Sequence, residues 1–179
     1  MAGFIRKLIV SILGLVCLIL FDIHAIYASG LMLGIFSYSP YIKKLGVCLM
    51  VCLLIHASLS LPFVVFRFVK SRKIYARLNF YAIVQYTAGI LIIVFLFYHT
   101  FYLAHKPDIV KLLIIIFTAA ATGIHMFTGL AKSFVTLGLV REENGMKTAK
   151  TISFFITVLP ALFTIAAFIY YYPQFYPGG

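Results

Sequence analysis

Four histidines, His24, His56, His99 and His125, each lie inside a long apolar run. An ionisable side chain in such a setting is costly unless it has a partner, so each marks a candidate site. Imidazole offers two chemistries there: it ligates a metal through one ring nitrogen, or it relays a proton. His125 is the sharpest case. Within Ala119–Val140 it is followed by Gly129 one turn on and Lys132 two turns on. The fifth histidine, His105, falls in a short polar connection and reads as solvated. Cys48, Cys52 and His56 form a C-x3-C-x3-H series on one helical face. That spacing suits a metal, but small buried cysteines are common in packed helices, and packing is the preferred reading.

The elements that must position these residues are membrane spans. Of 179 residues, 64% are hydrophobic, and the mean hydropathy is +1.09, well above a soluble domain. No internal repeat, low-complexity stretch or composition break divides the chain, so residues 1–179 read as one all-α membrane domain. Five segments are long enough to cross about 30 Å of hydrocarbon, near 5–26, 45–68, 79–103, 109–140 and 148–172. Asp108 after Pro107 is expected to cap the fourth helix, and Asn144-Gly145 to turn the chain before the fifth. Arg6 and Lys7 before the first apolar run resemble a signal peptide. The run reaches FDIHAIY without a small-x-small cleavage site, so it is expected to be retained.

Fifteen Lys and Arg against four Asp and Glu give a net charge of +11. The excess lies between the spans, where it sets topology and meets lipid head groups or a partner, and no nucleic acid is called for. With the N-terminus inside, the inner ends carry Arg6, Lys7, Arg67, Lys70, Arg72, Lys73, Arg77, Arg141, Lys147 and Lys150. The outer side then carries Lys43, Lys44, Lys106 and Lys111. The positive-inside rule therefore predicts a cytoplasmic N-terminus and an outer C-terminus.

Topology turns sequence position into depth. His24 and His99 are each roughly 28–30 Å along their helices from the inner end, and His56 and His125 roughly 18–22 Å. The four form two pairs at two levels. Stacked bis-histidine sites are what electron transfer across a membrane by two b-type haems requires, and the alternative for each residue alone is a hydrogen bond across the bundle. Without a C-x-x-C-H, covalent c-type attachment is excluded. A flat macrocycle also needs small residues beside it. Gly129 follows His125 by one turn. Gly14 and Gly89 precede His24 and His99 by ten residues, about 15 Å deeper, near the level of the other pair.

These features together resemble the membrane cytochrome b subunit of succinate:quinone oxidoreductases. The form is the single-chain, five-helix, dihaem anchor of menaquinone-linked succinate dehydrogenases and fumarate reductases. The stretches that carry the likeness are RKLIVSILGLVCLILFDIH, LLIHASLSLPF, VQYTAGILIIVFLFYH and IHMFTGLAKSFVTLGL. They cover all four histidine-bearing helices. In helix three, Gln85, Gly89 and His99 are similar to the family's Gln-Arg-x-x-Gly with a histidine ten residues later. In helix four, His125 and Gly129 resemble its His-x-x-x-Gly-Leu. Tyr86 stands where that pattern has Arg, and the chain has no tryptophan.

The resemblance implies that His24 and His99 hold a distal haem and His56 and His125 a proximal one. It also implies a FAD-bearing flavoprotein and an iron–sulfur subunit on the cytoplasmic side, and a membrane quinone, menaquinone by the form matched. Such a chain belongs to the respiratory chain and the tricarboxylic acid cycle without carrying the dicarboxylate site. Lys132 and Gln85 are candidates for the haem propionates, with snorkelling the alternative for Lys132. Asp22, at the outer end of helix one, is the candidate for quinone protonation. The basic stretch from Arg67 to Arg77 either docks an acidic partner or serves topology and lipid charge alone.

Two other classes compete. Anchors of hydrogenases, formate dehydrogenases or nitrate reductases also bind b haems, but tend to place two ligands on one helix. A haem-free transporter or assembly protein would use its histidines for protons or substrate.

Overall fold

The computed structural model describes residues 2–70, 76–102 and 109–175. They form five helices: α1 (Ala2–Met32), α2 (Tyr41–Lys70), α3 (Ala76–Tyr102), α4 (Ile109–Thr136) and α5 (Glu143–Phe175). All five are long and apolar enough to cross a membrane, which makes the chain a multi-pass membrane protein. No strand occurs among the described residues.

The packing is the reverse of a soluble core. Large apolar side chains such as Ile19, Leu61, Ile90, Phe117 and Phe155 face outward. The interior is made instead of Ala25, Ala88, Ala119, Ala121, Ala149, Ala161 and Ala167. Lipid is as apolar as leucine, so helices gain by close approach through small residues rather than by hiding large ones. The tightest seam runs along α5. A Cβ on Gly123 of α4 would sit 3.1 Å from that of Ala161. Ser29, Ser153 and Thr157 have no exposed surface at all. Their hydroxyls return to carbonyls four residues back, at 2.7 Å in each case, so no donor is stranded. Ser29 also meets Thr164 at 3.3 Å, tying α1 to α5.

Two hairpins supply the rest of the frame. α1 packs on α2 and α4 on α3; α1, α4 and α5 join the two, while α2 and α3 scarcely touch. At the far end from the 33–40 connection, Arg6 Nε donates to the Leu59 carbonyl at 3.2 Å and its guanidinium lies over the Phe63 ring, fastening α1 to α2.

The ends of the helices depart from expectation in three places. α1 continues to Met32 rather than stopping near 26: the stretch AIYASGLM holds no proline, and Ser29 satisfies its hydroxyl within the helix on the Ala25 carbonyl. It ends where Gly34 takes φ +72, with Ile35 N bonding Gly30 O at 2.8 Å and Gly34 N bonding Leu31 O at 3.2 Å. α4 stops at Thr136 rather than 140, closed by the same pair of bonds around Gly138, φ +73. The expected turn at Asn144-Gly145 is absent: α5 begins at Glu143, and both residues lie in its first turn. The left-handed conformation that reverses the chain falls on Gly138 instead, and Glu143 pairs with Lys147 at 3.9 Å to support the helix start. Asp108, the expected cap of α4, lies outside the described residues.

Candidate functional site

The four histidines are distributed one to a helix over the two hairpins, and they meet between hairpins. The rings of His56 on α2 and His125 on α4 have centroids 6.4 Å apart, with their planes at 90°. His24 on α1 and His99 on α3 are close enough to interact electrostatically. The grouping is that of the two depth levels. His24 and His99 lie toward the connections 33–40 and 103–108, and His56 and His125 lie nearer the middle of the bundle.

The 6.4 Å spacing decides what the mid-bundle pair can do. It is too long for a hydrogen bond between ring nitrogens along the line of centres. Two imidazoles on opposite sides of one metal atom, each bond about 2.0–2.1 Å and each nitrogen about 1 Å from its ring centre, put the centroids about 6 Å apart. Axial rings are free to turn about that line, so perpendicular planes are compatible. His56 and His125 would therefore be spaced to hold one metal atom between them.

The tautomers point the same way. His125 Nδ1 lies 2.8 Å from the backbone oxygen of Gln85 on α3. A carbonyl only accepts, so Nδ1 carries the proton and Nε2 is left with the lone pair that binds metal. His24 and His56 hold Nδ1 buried without a hydrogen bond of normal geometry.

Glycines make these approaches possible. A Cβ on Gly14 would sit 3.3 Å from His56 Cε1, and one on Gly89 would sit 2.9 Å from His125 Cε1. The sequence marked both for their ten-residue offset; the structure gives them an imidazole as their immediate neighbour. It adds Gly46, whose Cβ would sit 3.3 Å from His24 Cε1. Sequence reasoning missed Gly46, although it precedes His56 by the same ten residues.

The remaining candidates cluster beside His125. Lys132 Nζ donates to Gln85 Oε1, and a Cβ on Gly129 would sit 3.2 Å from Gln85 Nε2. Gln85 thus holds His125 through its backbone and Lys132 through its side chain. Asp22 stands apart. Its Oδ1 is buried without a partner, but a residue two positions from His24 lies on nearly the opposite face of α1.

The C-x3-C-x3-H series does not close. Cys48 is exposed, and His56 turns toward Gly14 and His125. No group of three or more His, Cys, Asp or Glu side chains suited to a metal ion occurs among the described residues. Comparisons with family models, with curated proteins and with solved structures find no match to this chain.

Proposed function

We propose that this chain is the membrane anchor of a succinate:quinone oxidoreductase, carrying electrons between a cytoplasmic iron–sulfur subunit and a membrane quinone through two b-type haems. The observation that carries the reading is the His56–His125 pair, contributed by different hairpins with ring centroids 6.4 Å apart.

In this reading the N-terminus is cytoplasmic in the inner membrane, so His56 and His125 form the inner pair and His24 and His99 the outer. Haem b, when bound, supplies one-electron carriers whose potentials follow from their ligands and surroundings. The chain's own residues do the rest. Gln85 fixes the His125 ring through the Nδ1 proton, which keeps Nε2 available. Lys132, held by Gln85, places a cation on the inner side of His125, where haem propionates need one. Asp22, a carboxyl at the outer level with a buried unpartnered oxygen, is the proton-exchanging group for a quinone there. The basic residues between Arg67 and Arg77, a stretch partly outside the described residues, would dock the flavoprotein and iron–sulfur partners.

The test is purification from the membrane in mild detergent. Expected are a b-type reduced-minus-oxidised spectrum, two haems per chain, and a flavoprotein and iron–sulfur subunit in the same complex. Absence of b-type absorbance overturns the haem reading. Two haems with a different catalytic partner overturn the succinate assignment alone.

A further inference from the structure

Three of the four histidines approach a neighbouring helix in one way. His56 sits at Gly14, His24 at Gly46 and His125 at Gly89, with ring carbon Cε1 at 3.3, 3.3 and 2.9 Å from where a Cβ would be. At Gly89 the carbonyl that His125 Nδ1 donates to, that of Gln85, lies four residues before the glycine; the carbonyls in the corresponding places before Gly14 and Gly46 are those of Val10 and Ile42. The reason is geometric. In a helix the carbonyl of residue i−4 lies beside the Cβ of residue i, so removing that Cβ bares the oxygen to a donor from the next helix.

The arrangement follows the hairpins. Ten residues up α1, from Gly14 to His24, is ten residues down α2, from His56 to Gly46, so one antiparallel register makes both contacts. Applied to α3 and α4, the register that sets Gly89 against His125 sets Ile115 against His99. Ile115 is buried and branched at Cβ. His99 alone has no glycine in the corresponding place.

We infer that Gly14, Gly46 and Gly89 are the positioning residues of the ligand histidines, each leaving room for one imidazole to seat against the helix backbone, with the Gln85 carbonyl beside Gly89 also fixing His125 by its Nδ1 proton. The inner pair is then held at both rings and the outer pair only at His24. This rests on the haem reading and adds to it the residues that orient the ligands, all three on the hairpin partner of the ligand's own helix, two at the inner level and one at the outer.

The test uses the whole complex with Gly14→Ala, Gly46→Ala and Gly89→Ala. Gly123→Ala serves as a packing control, because its Cβ meets Ala161 rather than a histidine. The readouts are haem per chain and the low-spin electron paramagnetic resonance signals, assigned to the inner and outer sites with His56→Ala and His24→Ala. Gly89→Ala is expected to lose one haem of two, the inner, because at 2.9 Å the ring must move. Gly14→Ala is expected to shift the inner signal and Gly46→Ala the outer, both with haem retained. Gly123→Ala is expected to leave both signals in place.

A Gly46→Ala variant that moves the inner signal, or glycine variants that leave both signals unchanged, overturn the inference while the haem reading stands. So does a Gly123→Ala variant that shifts them in the same way. Should Gly89→Ala fail to accumulate, Gly14→Ala and Gly46→Ala, the milder intrusions, decide the matter on the same readouts. A wild-type complex without haem overturns both the reading and the inference.

Discussion

The two histidine pairs are built from the same four helices yet are held differently. At the mid-bundle level both rings rest on glycine, one of them with a 2.8 Å hydrogen bond to a carbonyl, and Gln85 and Lys132 close the same corner. At the outer level His24 rests on Gly46, but the register puts Ile115 opposite His99. One substitution in the glycine pattern separates a doubly seated pair from a singly seated one. Two histidine pairs of identical composition thus differ in orientational freedom, and if they hold metal as proposed, its properties would follow the orientation and hydrogen bonding of the rings.

The strongest way to break the comparison is to remove the rings. His125→Ala or His56→Ala is expected to abolish the inner haem and lower quinone-linked turnover by more than about 100-fold, since even losses in the supporting shell reach that scale. The outer haem should remain. Haem quantitation with steady-state kinetics checks it, and a variant that keeps both haems would remove these residues from the ligand set.

Ile115→Ala comes next. Truncating a buried isoleucine costs about 2–5 kcal/mol in a soluble core. Here the expected result is a lower temperature of haem release and a changed outer midpoint potential, with the inner potential unmoved. Redox titration resolves the two. A shift confined to the inner site would show that the register does not continue to His99.

Gln85→Ala should do less to His125 than its position suggests. The hydrogen bond runs to the Gln85 backbone, which alanine retains, so the inner signal should persist. What is lost is the tie to Lys132, worth about 1.5–3 kcal/mol for a hydrogen bond to a charged group, less near solvent. Its effect should match that of Lys132→Met and should not add to it, as a double-mutant cycle on thermal stability would report.

The smallest effect belongs to Gly129→Ala. Its Cβ would meet only the Gln85 amide nitrogen at 3.2 Å, the end of a flexible side chain. Stability should change by less than about 0.5 kcal/mol. Loss of the inner haem would instead mean that Gly129 clears the macrocycle, the role its place after His125 suggested.

Much of the frame was readable before the structure. Five apolar runs in the sequence match five helices, because a hydrocarbon layer imposes a length on anything that crosses it. Helix ends were the weak part. Asn144-Gly145 carries the usual turn signal, yet the reversal falls at Gly138, since a turn residue acts only where the preceding helix stops. The level of each histidine followed from counting residues at 1.5 Å, so the grouping of His56 with His125 and His24 with His99 needed no tertiary information.

By itself, then, the sequence determined five spans with one imidazole inside each of the first four, because length and hydropathy are properties of a single helix. Tertiary structure decided what each imidazole touches. That a glycine serves a histidine on the neighbouring helix, and not the one ten residues along its own, depends on the register between antiparallel helices. No residue type encodes that register alone; it arises from small side chains packing along a whole seam. The carbonyl of Gln85 was invisible for a plainer reason. Every residue has one, and only the missing Cβ four residues later makes a particular one reachable.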